Sequence, residues 1–413
     1  MSVNLKLASS FKLNSTLTIK NRIVKSALSE ALADLDGTPS HDLINLYRTW
    51  SRSGAGVLVT GNVVIDSKAI GEPGNVVIED ERNFDLIAEW ADTAKSGGSE
   101  IWMQINHPGK QAIRGLNKET VAPSAIPFSP KMAAIFATPR ELTHIEIEEL
   151  IQRYATTAEI AKKAGFTGVQ LHGAHGYLIS QFLSPLHNRR TDQWGGTAEK
   201  RRRFVLEVYN EVRTRVGDEF PISIKLNSAD FQRGGFSEEE SLATIQALDD
   251  MGINLIEISG GSFEKPVSQL GITKQSTIAR EAYFLEFAKK VREISKVPLM
   301  VTGGFRSIEG MENALLNDEL DFIGLGRIFA IEPSAPQRLL KGLETYNEVK
   351  PLTTGFRFLD SFGSLELTWY TRQLHRIARG ESPIPNENGL KSFILDFKDK
   401  GLSVYKKRRL RAL

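Results

Sequence analysis

The residues best equipped for chemistry fall in one short segment, His172-Gly173-Ala174-His175-Gly176-Tyr177, which runs straight on from the apolar stretch GVQL at 168–171. Two imidazoles and a phenol lie close together there, with glycines that let the backbone turn. Imidazole N–H groups can hold a carbonyl oxygen, and a tyrosine of pKa about 10 can donate a proton to a strongly basic carbon. The same residues also read as a packed, histidine-rich turn, or as a metal site with His172 and His175 as ligands. The next acidic residue is Asp192, so the segment brings no carboxylate of its own to a metal.

Polar side chains also interrupt apolar strands. Gln104 sits inside IWMQIN, where burying an amide without partners costs about 1–3 kcal/mol. Lys225 in ISIKL poses the problem more sharply, because an ammonium near a strand end must meet an anion or a solvated mouth. Ser26 and Ser29 add hydroxyls at the end of another such run. Taken singly each could be structural; convergence of all of them on one face points to a cofactor site. Further on, Thr302-Gly303-Gly304-Phe305-Arg306 and Gly324-Leu325-Gly326-Arg327 are turns whose backbone N–H groups could cradle a phosphate. Arg327 could add a bidentate contact.

Elements must bring these groups together. Eight short apolar segments are expected as strands: Arg22–Ala27, Gly56–Gly61, Ile101–Ile105, Gly168–Leu171, Ile222–Leu226, Asn254–Ile258, Pro298–Thr302 and Asp321–Leu325. Their near-continuous apolar character fits a parallel sheet covered on both faces. Helical spacing separates them, as in Ile145–Ala164, where Ile145, Ile147, Leu150, Ile151, Tyr154, Ala158 and Ile160 form one stripe. Ser237 ahead of three glutamates reads as the N-cap of a helix running towards Met251. The pattern is an α/β fold, a (βα)8 TIM barrel with a C-terminal helical extension, whose site lies at the C-terminal strand ends. An open doubly wound sheet is the competing arrangement.

The expected division is a barrel over residues 1–333 and an extension with a basic tail over 334–413. Proline-rich residues 106–144 form a loop excursion or lid beside the mouth, and helices are expected at Ala335–Tyr346 and Leu365–Arg379. The 52 basic and 50 acidic residues leave a formal charge of +2, which gives no sign of a nucleic-acid surface. The basic runs Lys200–Arg203 and Lys406–Arg411 read as a helix start and a solvated tail. Absence of cysteine removes disulfides, thiolate nucleophiles, Cys-type zinc sites and ordinary iron–sulfur clusters. No apolar run nears the roughly 18 residues of a membrane span, and the N-terminal stretch lacks a signal-peptide core, so a cytoplasmic location is expected.

Several blocks in order, KNRIVKSALS, MQINHPGKQ, HGAHGYLISQFLSPLHNRRTDQWGGTAEKRRRF, TGGF and GLGR, resemble the old yellow enzyme family of FMN-dependent NAD(P)H oxidoreductases. The likeness covers roughly residues 5–333. It implies non-covalent FMN across the barrel mouth, with NADH or NADPH as reductant. Ser29 then resembles the position that tunes the flavin near N5 and O4, beside backbone contacts from Ser26, Ala27 and Leu28. Gly61 lies close to the ring, and Gln104 resembles the amide that reads the pyrimidine edge. Gly303, Gly304, Phe305, Gly326 and Arg327 match the phosphate turns. His172 and His175 resemble the pair that binds the substrate oxygen, and Tyr177 the proton donor. Lys225 stands where better-known members carry arginine, keeping the charge near N1 and O2 but losing the bidentate fork.

The resemblance implies reduction of activated C=C bonds in α,β-unsaturated carbonyl or nitro compounds, by hydride from flavin N5 and a proton from Tyr177. Two other readings stay open: a flavin-binding barrel without a natural alkene substrate, and a metal-dependent hydrolase using His172 and His175. The expected partner is a small-molecule substrate, with no nucleic acid, no membrane, no metal and no iron–sulfur cluster, and a homo-oligomer is compatible with the sequence.

Overall fold

The computed structural model describes residues 5–130, 132–133, 135–261, 274–305, 307–345, 352–355, 365–395 and 398. Eight parallel strands close into a barrel: β1 (Ile23–Lys25), β2 (Val57–Val59), β3 (Glu100–Asn106), β4 (Gly168–Gly173), β5 (Ile222–Asn227), β6 (Leu255–Ser259), β7 (Leu299–Thr302) and β8 (Phe322–Leu325). Each pairs with its neighbour in sequence, and β8 returns to β1. The expected TIM barrel is therefore the observed fold, and the open sheet is excluded by that closure. β1 ends at Lys25 rather than Ala27, since the chain turns into the mouth loop; Ser26 N still donates to Leu325 O at 2.9 Å.

Helices α1 (His41–Ser51), α2 (Phe84–Lys95), α3 (His144–Lys163), α4 (Ala198–Val216), α5 (Glu238–Asp250), α6 (Lys274–Ile294) and α7 (Ile308–Leu316) follow the first seven strands. Their starts are chemically specified. Thr143 with Glu146, and Ser237 with Glu240, form capping boxes that satisfy orphan N–H groups at the starts of α3 and α5. The α3 stripe is as expected except at Ile145, which is exposed on the first turn. After β8 comes a short helix at Ala335–Leu339. It stops well before the expected Tyr346, which lies outside the described residues, because the chain turns at Gly342 (φ 72°). Helix α8 (Leu365–Ala378) follows and packs against α1. The basic tail lies outside the described residues.

Alternation along the strands sorts the barrel into layers. Val24, Val57, Val59, Trp102, Leu255, Met300 and Phe322 form an apolar plug, closed below by the hairpin Phe11–Lys12/Thr18–Ile19, with Phe11 edge-on to Phe322 at 5.0 Å. The outward side chains form a larger core with the helices. The inward chains of the next turn are polar, and they make the floor of the site.

Two excursions flank the mouth. Residues 106–144 carry a short ladder between Val121–Ala122 and Arg140–Glu141, and a bridge from Ile113 to Phe136. A second, not anticipated from sequence, extends the β3 end: Val63–Val64 pairs with Ile105 and Asn106 and with Val76–Val77, bringing Asn62 and Glu72 to the mouth. Among the described residues no helix is long and apolar enough to cross a membrane.

Candidate active site

Strand register does the first part of the positioning. On inward faces, Gln104 lies opposite Gln170, His172 opposite Lys225, and Lys225 opposite Glu257. At the end of β4 the chain turns through His175, which adopts a left-handed conformation (φ 60°) followed by Gly176 (φ 79°). A non-glycine residue held there carries backbone strain. The turn sets the His172 ring 5.3 Å from that of His175 and 4.7 Å from that of Tyr177, both edge-on. The three residues singled out first are thus a single cluster.

Their hydrogen bonds define their roles. Ala174 N donates to His172 Nδ1 at 3.3 Å, so the proton of a neutral ring sits on Nε2 and is free to donate. His175 Nε2 lies 2.7 Å from Ser259 Oγ, and its backbone N–H donates to Asn227 Oδ1 at 3.2 Å. Burial, reinforced by the positive charge of Lys225, depresses His175 to about 3. Burial, then His175 and Lys225, holds His172 well below the usual imidazole range. Both rings are therefore neutral near pH 7. Tyr177 is pushed well above its ordinary value by burial, and further by the charge of Glu72, so its phenol keeps its proton. Asn62 Nδ2 donates to the Tyr177 oxygen at 3.4 Å.

Below the cluster a hydrogen-bonded chain crosses the barrel. Gln104 Nε2 donates to Gln170 Oε1 (2.8 Å), and Gln170 Nε2 donates to Glu257 Oε2 (2.8 Å). Glu257 Oε1 receives Lys225 Nζ (2.9 Å) and Thr302 Oγ1 (2.6 Å), and Thr302 meets Ser26 Oγ at 2.7 Å. The anion that Lys225 requires is therefore Glu257, a fully buried carboxylate that the sequence reading did not single out.

The remaining expected residues line the rim. Ser29 Oγ donates to the Glu72 carboxylate. Gly61 touches the Leu28 carbonyl so closely that a Cβ there would collide with it, and its N–H donates to Glu30 at 3.1 Å. Ala27 and Leu28 form the half-buried loop between Ser26 and Ser29. Gly303 and Gly304 have φ of 90° and 93°, and a Cβ on Gly303 would meet nothing within 4 Å. Buried Phe305 follows. Gly326 precedes Arg327, whose half-exposed guanidinium pairs with Glu366 of α8 at 3.2 Å. Helix α8 also reaches the mouth loop, where Thr371 Oγ1 donates to Ser29 O (3.3 Å) and His375 Nε2 to Glu30 O (2.8 Å).

This donor set suits a flavin mononucleotide: an inward amide at Gln104, an ammonium at Lys225, and an open turn of successive positive-φ glycines of the kind that presents backbone N–H groups to a phosphate. Among the described residues no three His, Asp or Glu side chains are grouped to hold a metal, and His172 and His175 have no third ligand there.

A family model described as the NADH:flavin oxidoreductase / NADH oxidase family matches residues 6–346. The chain belongs to that family. Its relatives within the NADH:flavin oxidoreductase / NADH oxidase family include the NADH-dependent flavin oxidoreductase iliE of Hypocrea jecorina (strain QM6a), 33% identical over 382 residues, covering 87% of this chain and 92% of that protein. A protein of the same name from Neonectria sp. (strain DH2) is 36% identical over 346 residues, 78% of this chain; the chain spans only 45% of that relative's length. The old yellow enzyme homologue from Zymomonas mobilis shares the fold, with a TM-score of 0.70 at 24% identity over 83% of this chain and 95% of that one. The old yellow enzyme resemblance read from the motifs is borne out.

Proposed function

We propose that this protein is an FMN-dependent NAD(P)H oxidoreductase that reduces activated C=C bonds in α,β-unsaturated carbonyl or nitro compounds. The observation that carries the reading is the neutral His172–His175 pair, with His172 in ring contact with a protonated Tyr177, above the Gln104–Lys225 floor. Bound FMN would supply the hydride, drawn from NADH or NADPH in a preceding half-reaction. The chain's own residues do the rest.

His172 Nε2–H donates to the substrate's oxygen, and His175 completes the grip. A neutral donor suits this task, because it stabilises charge as it develops on the oxygen without fixing an anion beforehand. Tyr177 then gives its proton to the α-carbon. Its raised pKa makes the phenol a weak acid, matched to a strongly basic carbon and poorly suited to protonating anything else. Gln104 and Lys225 would hold the pyrimidine edge, Ser26, Ala27, Leu28, Ser29 and Gly61 would line the ring, and Gly303, Gly304, Phe305, Gly326 and Arg327 would hold the phosphate.

Tyr177→Phe tests this directly. Anaerobic reduction of the FMN-loaded variant by NADH or NADPH should proceed at nearly the wild-type rate, whereas reoxidation by an enone should slow by about 10²–10⁴-fold, the usual worth of a positioned general acid. Equal losses in both half-reactions would remove Tyr177 from the proton-donor role. A wild-type protein that takes up no FMN would sink the reading itself.

A further inference from the structure

Glu257 is the acceptor-only member of the chain that crosses the barrel floor, and that gives it control over the others. An ionised carboxylate has no hydrogen to give. Gln170 must therefore turn its NH2 to Glu257, which leaves its carbonyl oxygen facing Gln104. Gln104 must in turn spend an N–H on Gln170, which fixes the orientation of its amide. On the other side, Thr302 spends its single hydroxyl hydrogen on Glu257, so it must accept from Ser26. Lys225 donates to the same oxygen as Thr302. One carboxylate on β6 thus sets the donor and acceptor sense of side chains from β3, β4, β7 and the loop after β1, and offsets a buried positive charge on β5.

Burial makes this control firm. Gln104, Gln170, Glu257 and Ser26 are all at most 1% exposed, so water has little access to supply a missing partner if one of these four reorients; Thr302 is half-buried. Inside a low-dielectric core each wrong orientation leaves two like groups facing each other with neither satisfied.

We infer that Glu257 is a positioning residue for the cofactor: it orients the Gln104 amide that meets the pyrimidine edge, and it tempers the Lys225 charge that favours the reduced, anionic form. The inference rests on the proposed binding of FMN at this mouth. It assigns two separable effects to one side chain, orientation acting on affinity and charge acting on the balance between oxidised and reduced cofactor.

Glu257→Gln keeps the volume but replaces one acceptor oxygen by an NH2 that faces only donors. Titration with FMN should show at least a tenfold weaker Kd. Spectroelectrochemistry should show tighter relative binding of the reduced form, about tenfold, a positive shift near 30 mV for a two-electron couple. The double variant Lys225→Met/Glu257→Gln removes both charges, so it avoids an unpaired buried ammonium and stays folded. Its midpoint potential should fall back below that of Glu257→Gln, while its FMN affinity stays weak because Gln170 and Gln104 are still unoriented and the Lys225 contact is lost as well. Wild-type affinity and wild-type potential in folded Glu257→Gln would overturn the assignment, as would a double variant whose affinity recovers with its potential. A wild-type protein without FMN affinity would overturn the cofactor reading together with this one, which separates the two failures.

Discussion

Among the described residues two lysine–glutamate pairs are buried in the barrel, one on the inner and one on the outer face of its wall. Lys225 and Glu257 point inward, 2.9 Å apart, beneath the mouth. Lys25 points outward from β1, 3.2 Å from Glu30, between the wall and α1. There its ammonium also donates to Val59 O at 2.7 Å and lies 4.2 Å over the Trp50 ring. Glu30 is occupied as well, receiving the Tyr47 hydroxyl and the Gly61 N–H. Burial lowers the Lys25 pKa against the opposing pull of Glu30, and burial raises Tyr47. The outer pair closes on backbone, ring and phenol. The inner pair passes its constraints upward to Gln104 and His172. The same two residue types make a structural strut in one place and the floor of the proposed cofactor site in the other, and the difference lies in what else each ion touches.

The largest effect that can test this contrast comes from the outer pair. Glu30→Gln leaves a buried ammonium without its counter-ion, which typically costs 3–5 kcal/mol (about 3 here, since an amide keeps some hydrogen bonds). Urea unfolding should show that loss, with little change in the FMN midpoint potential. A potential shift as large as that of Glu257→Gln would mean that the outer pair also acts on the cofactor, and the contrast would collapse.

Acid separates the regions next. Burial drives His107, His175 and His187 down to about 3 each, from an ordinary value near 6.5. All three belong to the mouth side. A histidine whose folded pKa is depressed adds stability that is intact above about 6.5 and lost as pH falls towards 3, because the unfolded chain binds the proton first. Each contributes a slope of up to about 1.4 kcal/mol per pH unit in that window. His107→Asn retains an acceptor for the Gly109 N–H, which His107 Nδ1 receives at 3.0 Å, but cannot titrate. Comparing thermal midpoints near pH 7 and about pH 5 should show a smaller acid loss in the variant, by roughly one proton's slope. An unchanged acid profile would place the acid-labile step elsewhere.

The barrel was legible because its strands are continuous apolar runs at regular spacing, and the His172–Tyr177 cluster because its members are neighbours in sequence. Gln104 and Lys225 stood out as polar interruptions of such runs. The same signal was present at Gln170 in GVQL, at Glu257 in NLIEI and at Lys25 in RIVKSA. What turns those interruptions into a network is register, which no local pattern encodes: Lys225 meets Glu257 only because β5 and β6 pair in one alignment. Asn62 and Glu72 were hidden for a different reason, since their excursion pairs with the end of β3 through strands of only two residues. The helical character of α8 was readable from its spacing, but not its hold on the Ser29–Glu30 loop.

That hold supplies the smallest and most discriminating test. Ser29 and Glu30 are adjacent, yet one side chain reaches Glu72 at the barrel mouth and the other completes the outer pair. Helix α8 grips the backbone of both, through Thr371 at Ser29 O and His375 at Glu30 O. A change at Thr371 therefore reaches the inner region through this short loop, whereas Glu366 reaches it through Arg327. Thr371→Val keeps shape and removes one hydrogen bond of 3.3 Å, worth about 0.5–1.5 kcal/mol. If the loop transmits that loss to the mouth, FMN affinity should weaken by up to about fivefold, close to 1 kcal/mol, with the midpoint potential unmoved. A loss seen only in urea unfolding would assign α8 wholly to the outer pair. A shift in potential would show instead that the Ser29 hydroxyl, held by Glu72, moves with its backbone, making the loop a second route from the outer surface to the cofactor's environment.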